Sequence, residues 1–240
     1  MSDQDSPEQS PNPPEQVDTL IDRDHGRRYW EGVEATVNGM LGGFPHVSRV
    51  DLQGSKNFLA KLGFGNKPGK RVAQTALEGG AGIGRVTEGL LLSGIAEQVD
   101  VIEPIAKFTE GLKGKPGVRN IFNMGLEDWE PEEGVQYDLI WIQWCVGHLT
   151  DAQLVGFLER CKSVLNPEWG LIVVKENNST SGGDDFDETD SSVTREDASF
   201  RRIFEQAGLR LIKVELQKGF HVAPIALLPV RMYALKPVQQ

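Results

Sequence analysis

Ala76-Leu77-Glu78-Gly79-Gly80-Ala81-Gly82-Ile83-Gly84-Arg85 carries three alternate glycines between two differently patterned apolar stretches. Before it, Val72, Ala73, Ala76 and Leu77 read as a short buried strand. After it, Val86, Leu90 and Leu91 recur at helical spacing. Gly80, Gly82 and Gly84 then form a turn in which no Cβ obstructs a ligand. Strand, glycine turn and helix in that order open the ligand crevice of a doubly wound α/β sheet. Taken alone, the cluster could be no more than a tight connection. Glu103 adds weight, lying about 20 residues on at the end of the run Val99, Val101, Ile102, where an acid can hold a ribose. Arg85 stands where a dinucleotide fingerprint wants its third glycine. The loop therefore suits an adenosine cofactor without phosphates, and S-adenosylmethionine is the expected one.

Outward from this loop the chain alternates as a βα array should. Strands are predicted over 98–103, 118–122, 137–143 and 170–175, and closing strands over 209–216 and 230–235. Helices are predicted over 105–112, 152–165 and 195–207, the last closed by Gly208. Leu154, Phe157, Leu158, Cys161, Val164 and Leu165 form one stripe, with Thr150 or Asp151 as its cap. Residues 1–18, rich in Pro, Ser, Gln, Asp and Glu, are expected to be a disordered tail. Residues 19–65 read as a helical cap, leaving 66–240 as the Rossmann-like domain: a seven-stranded, mostly parallel sheet with helices on both faces.

At 240 residues the chain has ample length to bury a core. Its net charge of −10 argues against broad contact with nucleic acid and suits a Lys/Arg-rich peptide, although solubility alone also explains it. Cys145 and Cys161 are too few for a disulfide framework. His25, His46, His148 and His221 are scattered, so no metal site is expected. No apolar run reaches the roughly 18 residues that span a bilayer, and Met-Ser-Asp-Gln is no signal peptide. A monomer in the cytosol, and in the nucleus as well, is the expectation.

Three constellations could carry chemistry. Trp141-Ile142-Gln143-Trp144-Cys145-Val146-Gly147-His148-Leu149 lies at the carboxyl end of the fourth strand, which faces the crevice. It could be mere sheet packing with a capping histidine. Gln143 tips the balance, because a polar residue inside an apolar strand is costly without a partner. Lys175-Glu176-Asn177-Asn178 ends the fifth strand at the same side, offering a neutral acceptor beside a carboxylate for an incoming amine. The acidic run Asp184 to Asp190 is by default a solvated loop, but above a crevice it could receive a cationic substrate.

Together, Gly80 to Arg85, Trp141-Ile142-Gln143-Trp144 with Gly147-His148-Leu149, and Asp190-Ser191-Ser192-Val193 resemble the protein N-terminal methyltransferases. Tyr29-Trp30 and Val37-Asn38-Gly39-Met40-Leu41-Gly42-Gly43 fit the same family's N-terminal helices, and the likeness covers roughly 25–216. It implies methylation of the α-amine of proteins beginning Xaa-Pro-Lys, ribosomal proteins among them, with S-adenosylhomocysteine as product. By the same resemblance, Gly80, Gly82, Pro104, Gly125, Leu126, Glu127 and Gln143 would line the cofactor site. Arg85 would meet the methionine carboxylate and Glu103 the ribose. Trp144 would pack on the second-position proline, and Asn177 would orient the amine. Asp190 and His148 would take up its proton. Asp187 and Asp190 would receive the lysine, with Ser192 nearby and Trp30 closing the pocket.

The chain departs from that pattern at Glu78 and Glu103, where the family carries Asp, and in a longer segment 178–186. Ala226-Leu227-Leu228-Pro229 stands where an aromatic residue facing the peptide is expected. Competing readings are a methyltransferase of the same fold acting on a lysine side chain or a small molecule, a non-catalytic S-adenosylmethionine-binding module, and, third, an NAD-dependent oxidoreductase, against which G-x-G-x-G counts.

Overall fold

In the computed structural model, residues 17–220 and 227–238 are described. The main sheet is formed by β1 (Ala73–Gly79), β2 (Ala96–Ile102), β3 (Val118–Phe122), β4 (Leu139–Gln143), β5 (Leu171–Asn177), β8 (Leu209–Leu216) and β9 (Val230–Pro237). Their order is β3-β2-β1-β4-β5-β9-β8. The first five run parallel, and β9 lies antiparallel between β5 and β8. The order reverses between β1 and β4, and their carboxyl ends open the crevice there.

Strand β4 is buried on both faces. Ile140 and Ile142 join Leu77, Phe157, Phe200 and Tyr233, beneath α4 (Asp151–Ser163) and α5 (Asp197–Gln206). Leu139 and Trp141 join Val99, Val173, Phe58 and Leu59 on the other side. Phe58 and Leu59 belong to α3 (Ser48–Lys61) and are fully buried, each stabilising the packing by roughly 1.5–3 kcal/mol. Thus α3 shares the sheet's core, although the sequence boundary at 65 sets it apart. Two shorter helices precede it, α1 (Arg23–Gly32), capped by the Asp22 side chain, and α2 (Val37–Met40), capped by Thr36.

Most of the expected tail lies outside the described residues. Its last two residues, Val17 and Asp18, instead enter a 3-10 turn (Val17–Leu20), where the Asp18 carboxylate accepts from the Asp151 N–H at the start of α4. The helix predicted over 105–112 reduces to a 3-10 turn at Thr109–Leu112. Pro104 precedes the segment, and Gly111 and Gly114 leave it too short to propagate. After the glycine loop the helix takes a π turn at Thr87–Leu91. The acidic run Asp184 to Asp190, by default a solvated loop, carries one strand of a hairpin, β6 (Asp185–Asp187) against β7 (Ser192–Thr194), anchored by buried Val193. Thr150 caps α4 with a reciprocal Gln153 contact.

Candidate active site

The glycine loop rises from β1 and turns back on the end of β2, the N–H groups of Gly80 and Ala81 both reaching the Ile102 carbonyl. Gly80 has φ +73°, and a Cβ there would stand 2.5 Å from that of Cys145. No other residue type fits this close approach without displacing the β4 loop. Glu103 accepts from the Gly82 N–H at 2.8 Å through Oε2 and from the Ile105 N–H at 2.9 Å through Oε1. Each oxygen keeps a free lone pair, so the carboxylate can also receive ribose hydroxyls. Burial pushes its pKa up against these two hydrogen bonds. Pro104, Ile105, Phe108, Gly125 and Leu126 complete one wall of a cavity whose opposite wall is α1 and Met40.

Arg85 lines the cavity and donates from one terminal nitrogen to Asp51 Oδ2 at 2.7 Å. Its guanidinium also lies over the Trp144 ring, 5.4 Å from the centroid. Gln143 lines the cavity too, but its amide nitrogen donates to both Asp51 oxygens at 3.1 and 3.0 Å, while its Oε1 accepts from Trp141 at 3.0 Å. The polar residue inside an apolar strand is therefore accounted for by Asp51. A sequence signal for Asp51 existed: with Val47, Ser55 and Leu59 it falls on the buried face of an otherwise amphipathic helix.

Trp144 and Ser191 are the non-glycine residues with positive φ among the described residues, at +54° and +55°. Each conformation costs about 1–3 kcal/mol, and both residues line the cavity. The indole Nε1 of Trp144 is buried and finds no hydrogen-bond partner among the described residues. Cys145 Sγ points back to the Gly79 carbonyl, and burial raises its pKa well above that of a free thiol, which removes it as a nucleophile.

His148 faces α1. Its Nε2 accepts the indole N–H of Trp30 at 3.0 Å and stands 3.9 Å from Asp190 Oδ2. Burial lowers its pKa, while Asp190 and the Ser191 backbone pull it up. The neutral ring is favoured, with its proton on Nδ1. Ser192 Oγ donates to Asp190 Oδ1 at 2.7 Å and sets that carboxylate. Gly26, in the middle of α1, presses against this pair. A Cβ there would meet the Asp190 carbonyl at 3.0 Å and His148 Nδ1 at 3.3 Å.

Helix α1 spans the crevice. On the cofactor side Arg23 Nε meets Glu127 at 2.8 Å, and Arg23 also pairs with Asp128. On the other side the Asp22 N–H donates to Ser191 Oγ at 2.7 Å, and His25 Nε2 lies 3.2 Å from the Thr189 carbonyl. Trp30, Glu127, Trp144 and His148 thus line the cavity, with Asp190 and Ser192 behind His148. Asn177 and Asp187 are not part of the lining. Asn177 is half-buried at the end of β5, its N–H held by Glu176, and Asp187 is exposed, its carboxylate accepting from the Thr189 N–H. Gly26 and Asp51 are the additions. No cluster of His, Cys, Asp or Glu suited to a metal occurs among the described residues, nor does a helix long and apolar enough to cross a membrane.

Residues 18–236 match the family described as AdoMet dependent proline di-methyltransferase. Alpha N-terminal protein methyltransferase 1 of Schizosaccharomyces pombe is 45% identical over 213 residues, covering 87% of this chain and 93% of the relative. The mouse N-terminal Xaa-Pro-Lys N-methyltransferase 1 is 43% identical over 210 residues, covering 84% and 92%. A solved SAM-dependent methyltransferase from Leishmania major superposes with a TM-score of 0.78 at 38% identity, over 89% of this chain and 82% of that one.

Proposed function

The chain belongs to the AdoMet-dependent proline di-methyltransferase family, and we propose that it methylates the α-amine of proteins whose exposed N-terminus reads Xaa-Pro-Lys. It is an S-adenosylmethionine-dependent methyltransferase of protein N-termini. The observation that carries the finer reading is the single cavity joining the glycine loop and Glu103 to Trp144 and His148 under α1.

The residues present fit the cofactor: a loop whose Gly80, Gly82 and Gly84 carry no Cβ, a carboxylate at the strand end for the ribose, and a guanidinium for the methionine carboxylate. When bound, S-adenosylmethionine supplies a methyl group activated on a sulfonium. Gly80, Gly82, Pro104, Gly125, Leu126, Glu127 and Gln143 would surround it, Arg85 would meet the carboxylate and Glu103 the ribose. What the chain adds is chiefly position, because an in-line displacement gains most from alignment.

An α-amine with pKa of about 7.7–8.0 arrives partly deprotonated at neutral pH, so a modest base suffices. Asp190 receives its proton, supported by Ser192 and the neighbouring His148 ring. Trp144 packs on the second-position proline, which has no N–H to satisfy. Asn177, Asp187 and Asp190 stand outside the cavity lining, and the family resemblance assigns them there: Asn177 to orienting the amine, Asp187 and Asp190 to meeting the lysine by charge-assisted hydrogen bonds, with Trp30 closing the pocket. The acidic balance of the chain suits basic N-termini such as those of ribosomal proteins, met in the cytosol or nucleus by a monomer.

Mass spectrometry of Ser-Pro-Lys, Ser-Ala-Lys and internal-lysine peptides after incubation tests the proposal. Methyl groups on the α-amine of the first peptide alone are expected. Modification of the internal lysine at a comparable rate would overturn it.

A further inference from the structure

Lys175 is fully buried in β5, at the level of Gln143 in β4, and takes no part in the site as described so far. Its ammonium lies 2.5 Å from Asp51 Oδ1 and donates to Ser55 Oγ at 2.9 Å, Gln217 Oε1 at 2.8 Å and the Asp51 carbonyl at 3.1 Å. Four acceptors around three protons keep the charge in place, although burial lowers the pKa to about 8. Asp51, also fully buried, shares its carboxylate between Lys175 on one oxygen and Arg85 on the other, with the Gln143 amide bridging both.

The charge count at this cluster is uneven: two cations surround one anion. A further acid within the field of Arg85 is Glu78, which is buried, bound by Thr87 Oγ1 at 2.6 Å and pushed up to about 8, so it supplies little negative charge at neutral pH. One positive charge is therefore left over in a region of low dielectric, where an uncompensated charge is costly. Arg85 is the member that reaches the cavity. It uses one terminal nitrogen on Asp51, and among the described residues its remaining N–H groups bond to no protein acceptor.

We infer that Lys175 is a positioning residue for cofactor binding: by neutralising Asp51 from behind, it leaves the Arg85 charge available to the carboxylate of the cofactor's amino-acid end. Lys175 touches no ligand and acts through Asp51. Without it, Asp51 and Arg85 form a closed neutral pair, and a second carboxylate gains much less there. The inference rests on the assignment of Arg85 to that carboxylate.

Calorimetry on the full chain with two probes separates the possibilities. One is S-adenosylhomocysteine. The other is its decarboxylated analogue, which keeps the thioether and amine and lacks the carboxylate. In Lys175→Met the preference for S-adenosylhomocysteine should fall about tenfold, the worth of a weakened charged hydrogen bond, while the analogue binds within about twofold of wild type. In the double variant Asp51→Asn/Lys175→Met the surplus charge returns on Arg85, so the preference should recover to within about threefold of wild type. A merely structural role predicts the reverse, since the double variant dismantles more of the network.

Parallel losses for both probes in Lys175→Met, an unchanged preference, or a further fall in the double variant would each overturn the inference. If Lys175→Met does not fold, the double variant decides alone, and its own failure to fold or to keep the preference also overturns it. Arg85→Ala supplies the control. An unchanged preference there would refute the Arg85 assignment itself, whereas a lost preference there with an unchanged one in Lys175→Met would refute only the role of Lys175.

Discussion

The indole N–H of Trp30 donates to Nε2 of His148 at 3.0 Å, across 118 residues of sequence. Trp30 can only donate, so it occupies the lone pair by which His148 would accept a proton at that atom. With Nε2 so engaged, the His148 ring is held neutral beside the Asp190 carboxylate, 3.9 Å away.

Removing that donor should favour the charged ring. In Trp30→Phe the His148 titration midpoint, followed by NMR of its ring protons, is expected to rise relative to wild type, because Asp190 is then opposed only by burial. A midpoint that stays or falls would show that the indole does not control the tautomer.

Gly26→Ala sets two effects against each other. Alanine improves helix propensity in α1 by about 1 kcal/mol. Its Cβ, however, must push the Asp190 carbonyl and the His148 ring by a few tenths of an ångström. Turnover of a Ser-Pro-Lys peptide should fall about tenfold or more, with thermal stability and S-adenosylhomocysteine affinity little changed. Unchanged kcat would mean the contact is slack.

Asp190→Asn and Asn177→Ala separate chemistry from orientation. The first keeps the shape and loses the charge, so kcat should fall, and discrimination for lysine over glutamine at position three should narrow. A charged hydrogen bond is worth roughly 1.5–3 kcal/mol, about ten- to a hundredfold. Higher pH should partly rescue it, since more amine arrives deprotonated. Asn177→Ala should lower kcat and leave the lysine preference intact. If neither variant changes turnover, the acidic hairpin has no part in the reaction and the α-amine assignment fails.

Glu78 predicts a pH dependence of stability. Burial raises its carboxyl from 4.5 to about 8, so between those values the folded chain keeps a proton that the unfolded chain gives up. Its contribution is at its best below the unfolded value and is lost as pH rises towards the folded one, with a slope of at most about 1.4 kcal/mol per pH unit. Relative to wild type, Glu78→Gln should therefore gain stability as pH goes from 5 to 8, measured by urea unfolding. A constant difference across that range would show that the carboxyl ionises alike in both states.

The alternation of strand and helix was legible because each rule behind it is local. Apolar periodicity marks β4 and α4, Gly208 closes α5, and Thr150 starts α4. Short range also explains the failures. The turn at Thr109–Leu112 was read as a full helix from its apolar spacing, and the β6–β7 hairpin was hidden because its acids outnumber its apolar residues.

Sequence by itself determined the sheet, the glycine loop, the strand-end acid Glu103 and the motif that carries Trp144 and His148. These follow from periodicity and from spacing within a few tens of residues. Tertiary structure alone decided that Asp51 on α3 lies between Arg85 and Lys175, that Gln143 answers Asp51, and that Gly26 and Trp30 bear on His148. A buried charge needs its partner within about 4 Å, wherever in the chain that partner comes from. Packing α3 and α1 against the sheet supplies those partners, and no local pattern records which residues will meet.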